Sequence, residues 1–188
     1  MRILACDDAA LDAASSVLLS GGVAVVPTDT VYGLAAHPDF PSAVSRLYSI
    51  KGRAAQKPIA LLASDAAAAE RFLGCSLPPA AADLAARFWP GPLTLVLPKG
   101  EVFEGLRVPA HDWARCLLAR CGGVLRVTSA NLSGRRPATD APAALADVGL
   151  SADLVLDDGV SPGGVPSTVV KVSQDGSVSV LRQGAAVL

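Results

Sequence analysis

Within residues 81–97 the hydrophobic period of the chain changes from helical to extended. Ala81, Leu84, Ala85 and Phe88 fall at i, i+3, i+4 and i+7, a spacing that gathers apolar side chains on one face of a helix. Pro90-Gly91-Pro92 follows at once. Proline has no amide hydrogen to donate and its ring clashes with the preceding turn, so the helix has to end there. The next run, Leu93 to Leu97, is short, apolar and bounded by turn residues, as a buried strand is. A chain that makes this switch must lay helices against a sheet.

The alternation recurs along the chain. Asp7 or Asp8 can cap a helix carrying Leu11, Ala14 and Leu18, which Gly21-Gly22 stops before a strand from Val23 to Pro27. A second helix presents Val44, Leu47 and Tyr48 and ends at Gly52, and Pro58 to Ala63 reads as another strand. The alanine-rich stretches 66–69 and 80–86 have helix composition. A helix at 111–120 precedes a strand at 124–128, and β-like runs at 153–156, 168–172 and 177–182 follow, the last with hairpin-like spacing. No internal repeat is visible. The pattern predicts an α/β fold, with a twisted mixed sheet flanked by helices and a single domain spanning 1–188. At 188 residues such a domain buries roughly 70% of its unfolded surface, enough for a real core.

Charge narrows the function classes. Sixteen lysines and arginines against 17 acids leave a net charge of −1, so no global positive field holds nucleic acid by counterion release. Any anion has to be bound locally. Cys6, Cys75, Cys116 and Cys121 show no C-x-x-C spacing and have only His37 and His111 to help them, which argues against zinc and for buried free thiols. No apolar run is long enough for a membrane span, and acids follow the N-terminus too early for a signal peptide. A reducing cytoplasm is the expected compartment.

Three polar loops interrupt the apolar rhythm: PTDTVYGL at 27–34, KGRAAQKP at 51–58 and TSANLSGRRPATD at 128–140. The second gathers Lys51, Arg53 and Lys57 around small residues in a chain that is 51% hydrophobic. Cations beyond a helix C-terminus already favour the helix dipole, yet arginine and lysine over Gly52 and Ala54 also suit phosphate oxygens. The Thr128–Gly134 stretch offers hydroxyl, amide and hydroxyl at a strand end, equally readable as a capped turn or a ligand pocket. Thr28, Asp29, Thr30 and Tyr32 are in the same position before Gly33. Asp157-Asp158-Gly159 is better read as a turn than as a metal site. Neither a phosphate-binding G-x-x-x-x-G-K-[ST] nor a G-x-G-x-x-G is present, so a phosphate site must be assembled from separate loops. No Ser/His/Asp or Cys/His arrangement is legible, which sets covalent catalysis aside.

Taken in order, PTDTVYGL, KGR followed by KP, FWPGPLTLVLP, RVPAH, TSANLSG, VPSTVV and VLRQGA resemble the YrdC/Sua5 family of threonylcarbamoyl-AMP synthases, from about residue 20 to residue 184. The chain stops soon afterwards and resembles the short single-domain form. The resemblance implies a YrdC-like fold with a concave ligand cavity and a nucleotidyltransferase reaction. L-threonine, bicarbonate and ATP, with Mg²⁺ accompanying the nucleotide, would give L-threonylcarbamoyladenylate and pyrophosphate. The product would pass to other tRNA t6A-modification proteins, with tRNA itself a further candidate partner and no membrane involved.

The family's Lys-Arg-Ser-Asn signature falls on Lys51, Arg53, Ser129 and Asn131. By the same resemblance Lys51, Arg53, Asn131, Thr139 and Arg182 lie toward ATP. Thr28, Tyr32, Arg107, Ser129 and Ser167 lie toward threonine, with Tyr32 as a wall. Lys57 is an electrostatic helper. Gln183, Lys171 and Thr128 depart from the residues usual in the family, and none of the three is a signature position. A non-catalytic RNA-binding module is the alternative, though the chain supplies neither a basic stripe nor an aromatic platform. A carbamoyl-transfer domain of the hydrogenase-maturation kind is a third. The segment SPGGVP at 161–166 reads as either a mobile lid or a rigid turn.

Overall fold

The computed structural model describes residues 2–54 and 56–188. In chain order the elements are β1 (Arg2–Ala5), α1 (Asp8–Leu19), β2 (Val23–Val26), β3 (Gly33–Ala36), α2 (Pro41–Lys51), β4 (Leu61–Ala63), α3 (Ala66–Leu73), α4 (Pro79–Phe88), β5 (Leu93–Lys99), β6 (Val102–Arg107), α5 (Asp112–Arg120), β7 (Val124–Ser129), α6 (Ala141–Asp147), β8 (Leu154–Asp157), β9 (Thr168–Val172) and β10 (Val178–Arg182). The strands form one mixed sheet in the order β1-β8-β2-β3-β7-β4-β6-β5-β9-β10. The α/β expectation and its mixed sheet are therefore met.

Local chemistry sets the helix starts. Asp7, not Asp8, caps α1, its carboxylate accepting from the Ala10 amide at 2.7 Å. Asp65 and Asp140 cap α3 and α6 in the same way, each satisfying an amide that the first turn leaves unpaired. Gly52 ends α2 in the left-handed conformation, φ 58°, where a Cβ would be strained.

Strand alternation decides where the sheet is packed and where it is open. On β5 Leu93, Leu95 and Leu97 are fully buried in a core shared with α3 and α4, together with Leu106 of β6 and Val170 and Val172 of β9. Their neighbours Thr94, Val96, Gly105 and Val169 point to the opposite face and line a cavity. A second core, including Val23, Val25, Leu34 and Leu47, packs α2 and α6 on the sheet. A third, including Leu11, Leu18, Ala24, Val26, Leu117 and Leu125, packs α1 and α5 on its other side.

Several expectations are corrected. The strand from Pro58 to Ala63 shrinks to Leu61–Ala63, because the carbonyls of Pro58 and Ile59 accept from Arg53 and Arg126 side chains instead of a ladder partner. Of the four thiols only Cys121 is buried; Cys6 is half-buried, and Cys75 and Cys116 are exposed. β1, β3, β6 and α6 were not anticipated. β3 is the sequence Gly-Leu-Ala-Ala, poor in strand formers, and exists because β2 and β7 flank it in register on both sides. The Asp157–Gly159 segment is a turn, as expected, with Asp157 accepting from the Gly159 amide at 3.0 Å. Among the described residues no helix is long and apolar enough to cross a membrane.

Candidate active site

A cavity of about 590 Å³ opens over β5, β6 and β9 and runs to the ends of β3 and β7. The three polar loops converge on it. Thr28 and Tyr32 come from the first, Arg53 from the second, Ser129 and Asn131 from the third, and Arg107, Ser167 and Arg182 complete the set. Of the residues singled out in the three loops and beside them, Asp29, Lys51, Lys57 and Thr139 do not line it. Thr139 instead uses its carbonyl to accept from the Ser161 amide at 2.7 Å. Lys57 is exposed, and its carbonyl receives the Arg53 Nε hydrogen at 2.9 Å.

Lys51 lies behind the cavity wall. It is the last residue of α2 and shares a face with Ala43 and Leu47, one helical turn apart each time, so the helix carries its side chain inward. It is only 3% exposed. The ammonium donates to the carbonyl of Ser129, to that of Asn131 at 2.6 Å and to Asn131 Oδ1 at 3.3 Å. It therefore clamps the Ser-Ala-Asn backbone in place. Burial, then the charge of Arg53, push its pKa down to about 8, with Asp147 opposing.

The rest of the third loop is held by equally specific bonds. Asn131 Nδ2 donates to the carbonyls of Leu132 at 2.8 Å and Arg135 at 2.9 Å. Asp147 on α6 accepts from the Leu132 amide at 3.2 Å and from Arg135 Nη1 at 2.8 Å. Arg135, which the sequence reading passed over, also lines the cavity.

At the buried end of the cavity, Arg107 is 5% exposed. It donates to the Gly91 carbonyl at 2.9 Å, to Thr30 Oγ1 at 2.8 Å and to the Asp29 carboxylate. Burial works against its charge and holds its pKa below the usual guanidinium value, while Asp29 opposes that shift. Asp29 and Thr30 stood in the sequence as polar loop residues without a role; their partner lies 77 or more positions away. Thr28 uses its hydroxyl within the loop, donating to the Val31 carbonyl at 2.6 Å. Thr94 Oγ1 and Ser167 Oγ are paired at 2.8 Å. Thr94 was also missed, since a hydroxyl inside Leu-Thr-Leu-Val-Leu looks like ordinary strand composition.

Tyr32 is fully buried and forms a wall. Its hydroxyl donates to the Gly159 carbonyl at 2.7 Å and accepts from the Asp158 amide at 3.0 Å. Burial pushes the phenol up to about 12, so it keeps its proton at neutral pH. The 161–166 segment is packed on the first loop. Ser161 Oγ donates to the Thr28 carbonyl at 2.9 Å and the Gly163 amide to the Asp29 carbonyl at 3.1 Å.

The electrostatics are one-sided. Arg53, Arg107, Arg135 and Arg182 line the cavity and, among the described residues, no carboxylate does. Arg53 donates only to the carbonyls of Lys57 and Pro58; Arg182 donates to the Ser167 carbonyl at 2.6 Å. Burial and then the charge of Arg53 lower the pKa of Arg182. Arg107 and Arg135 are ion-paired with Asp29 and Asp147, so the unbalanced positive charge of the lining sits on Arg53 and Arg182, beside hydroxyl and amide groups suited to anionic oxygens. Among the described residues no group of three His, Cys, Asp or Glu side chains is placed to hold a metal ion.

The fold and cavity thus define an α/β protein with an arginine-lined cavity to which three polar loops contribute. The family model Sua5_yciO_yrdC, described as "Telomere recombination", matches residues 16–184, and the chain belongs to that family. It is similar to the threonylcarbamoyl-AMP synthase of Pyrococcus abyssi, 35% identical over 86% of this chain and 50% of the relative. The synthase of Bos taurus is 33% identical over 94% of this chain and 68% of the relative. The crystal structure of P. abyssi Sua5 complexed with L-threonine superposes with a TM-score of 0.90 at 32% identity, covering 98% of this chain and 58% of that one. The chain therefore spans between half and about two thirds of the length of these relatives.

Proposed function

We propose that this cavity joins L-threonine, bicarbonate and ATP into L-threonylcarbamoyladenylate, releasing pyrophosphate. The observation that carries the reading is the convergence of eight sequence-singled residues on one cavity, where Arg53 and Arg182 have no carboxylate partner among the described residues. The relatives named threonylcarbamoyl-AMP synthase and the relative crystallised with L-threonine support it. They favour catalysis over the RNA-binding alternative.

In this reading Arg53 and Arg182 hold the triphosphate, and Asn131 and Ser129 orient phosphate or ribose oxygens. Lys51 acts by fixing the Ser129–Asn131 backbone and by adding its charge from behind. Thr139 acts only indirectly, its carbonyl holding the Ser161 amide at the start of the 161–166 segment. Arg107 receives the threonine carboxylate, Thr28 and Ser167 bound that end, and Tyr32 walls it. The threonine amine, having lost its ammonium proton to solvent, forms a carbamate either by attacking bicarbonate with loss of water or by adding to carbon dioxide with release of a second proton. A carbamate oxygen then bonds to the α-phosphorus while the bond to pyrophosphate breaks. Fixed guanidinium groups oppose the charge that develops, and alignment of the two reactants lowers the barrier by as much as about 7–11 kcal/mol.

Mg²⁺ belongs to the proposal as a passenger on the phosphates. Among the described residues the cavity lining has no carboxylate to hold it independently, and this ion ordinarily keeps water and phosphate ligands. It would neutralise part of the triphosphate charge. A cytoplasmic location and hand-over of the labile product to other tRNA t6A-modification proteins belong to the same reading. The decisive experiment measures pyrophosphate release from Mg-ATP, with threonine and bicarbonate each omitted in turn. Release that requires both is expected; ATP left intact in every combination refutes the assignment.

A further inference from the structure

The arginines of the cavity stand in different electrostatic settings: Arg135 is paired with Asp147 at 2.8 Å but is itself largely exposed at the rim, and the contrast that matters is between Arg107 and the pair Arg53 and Arg182. Arg107 at the buried end is ion-paired with Asp29, their side chains 7% and 10% exposed. Asp29 is not among the lining residues and stands behind Arg107. By contrast, no carboxylate lies within ion-pair distance of Arg53 or Arg182 among the described residues. Of the five N–H donors on a guanidinium, Arg107 uses three, on Gly91, Thr30 and Asp29. Among the described residues the other two have no partner and are available to a ligand.

We infer that Asp29 sorts the two substrates: by cancelling the charge of Arg107 it makes the buried end a receptor for a net-neutral amino acid and leaves polyphosphate to Arg53 and Arg182. The inference rests on the functional reading above and adds a residue to it. A zwitterion brings its own ammonium to balance the carboxylate that docks on the two free N–H groups. A multiply charged anion brings no such balance and meets the Asp29 carboxylate close behind Arg107. Without Asp29 the same guanidinium, out of reach of bulk water, would hold phosphate or pyrophosphate and block threonine.

The test titrates L-threonine calorimetrically into the protein with inorganic sulfate present, against chloride at matched ionic strength. In the wild type sulfate leaves threonine affinity at the chloride value. In Asp29→Asn sulfate weakens threonine binding by at least about tenfold, the scale of one uncompensated charge, and Asp29→Glu restores the wild-type pattern. A merely structural role for Asp29 would not create this sulfate competition. Wild-type protein that binds threonine but with sulfate as competitor overturns the inference alone, and that arm needs no folded variant. Indifference of a folded Asp29→Asn variant to sulfate overturns it too. Wild-type protein that binds no threonine refutes the functional reading, and the inference falls with it.

Discussion

Lys51→Met separates the structural and electrostatic roles of the buried ammonium. The variant keeps the volume of the side chain and removes a donor that serves Ser129 and Asn131. Each bond to a charged group contributes about 1.5–3 kcal/mol, so losing them destabilises the protein. Opposing this, the folded state holds the Lys51 pKa near 8 against an ordinary 10.5. Between these values the unfolded chain binds more protons than the folded one, so the Lys51 contribution to stability rises with pH across the window. At about 1.4 kcal/mol per unit, the rise is at most about 3–4 kcal/mol, and the three acceptors reduce it.

The stability gap between wild type and Lys51→Met should therefore widen as pH increases from 8 to 10.5. For a chain of this size each kcal/mol moves the melting temperature by about 2–4 °C, so the gap in Tm grows by up to roughly 10 °C. Thermal melts followed by circular dichroism, on both proteins in matched buffers through that range, read it directly. A gap that stays flat or narrows would refute the argument that Lys51 is buried as a strained cation.

Three further outcomes follow from the geometry. Tyr32→Phe removes the hydroxyl that joins Asp158 and Gly159 and should cost about 1–3 kcal/mol, read as a lower melting temperature together with a raised KM for threonine. Gly33→Ala drives a Cβ to 2.5 Å from Val127 Cγ1 and should cost about 1–3 kcal/mol as overpacking; Val127→Ala in the same chain should restore most of it in a denaturant titration. Arg53→Ala should leave the melting temperature within about 1–2 °C, since the side chain is only partly buried and bonds two local carbonyls. Its KM for ATP should rise several-fold in steady-state assays, and an unchanged KM would remove Arg53 from the phosphate site.

Much of the site was legible because its residues sit in unusual local strings. Thr28, Tyr32, Arg53, Ser129 and Asn131 lie in loops whose composition breaks an apolar pattern, and all of them face the cavity. Asp29 and Arg107 stand inside the readable strings PTDTVYGL and RVPAH, yet nothing local says that one neutralises the other. Lys51 was read as part of a basic loop, and burial turned it toward the Ser-Ala-Asn backbone. Its signal was the four-residue spacing from Ala43 and Leu47, which the stronger Val44-Leu47-Tyr48 pattern hid.

The sequence alone determined the helix starts and stops, the alternation of strand faces and the places where polar loops leave the sheet. Those follow from side-chain capping, from proline and glycine backbone limits and from a period of two, all of which act within a few residues. The order β1-β8-β2-β3-β7-β4-β6-β5-β9-β10, the strand status of Gly33–Ala36 and the pairing of Asp29 with Arg107 were decided only by tertiary structure. Each depends on groups far apart in the chain, and the free energy that selects them comes from burial, which no local stretch can express.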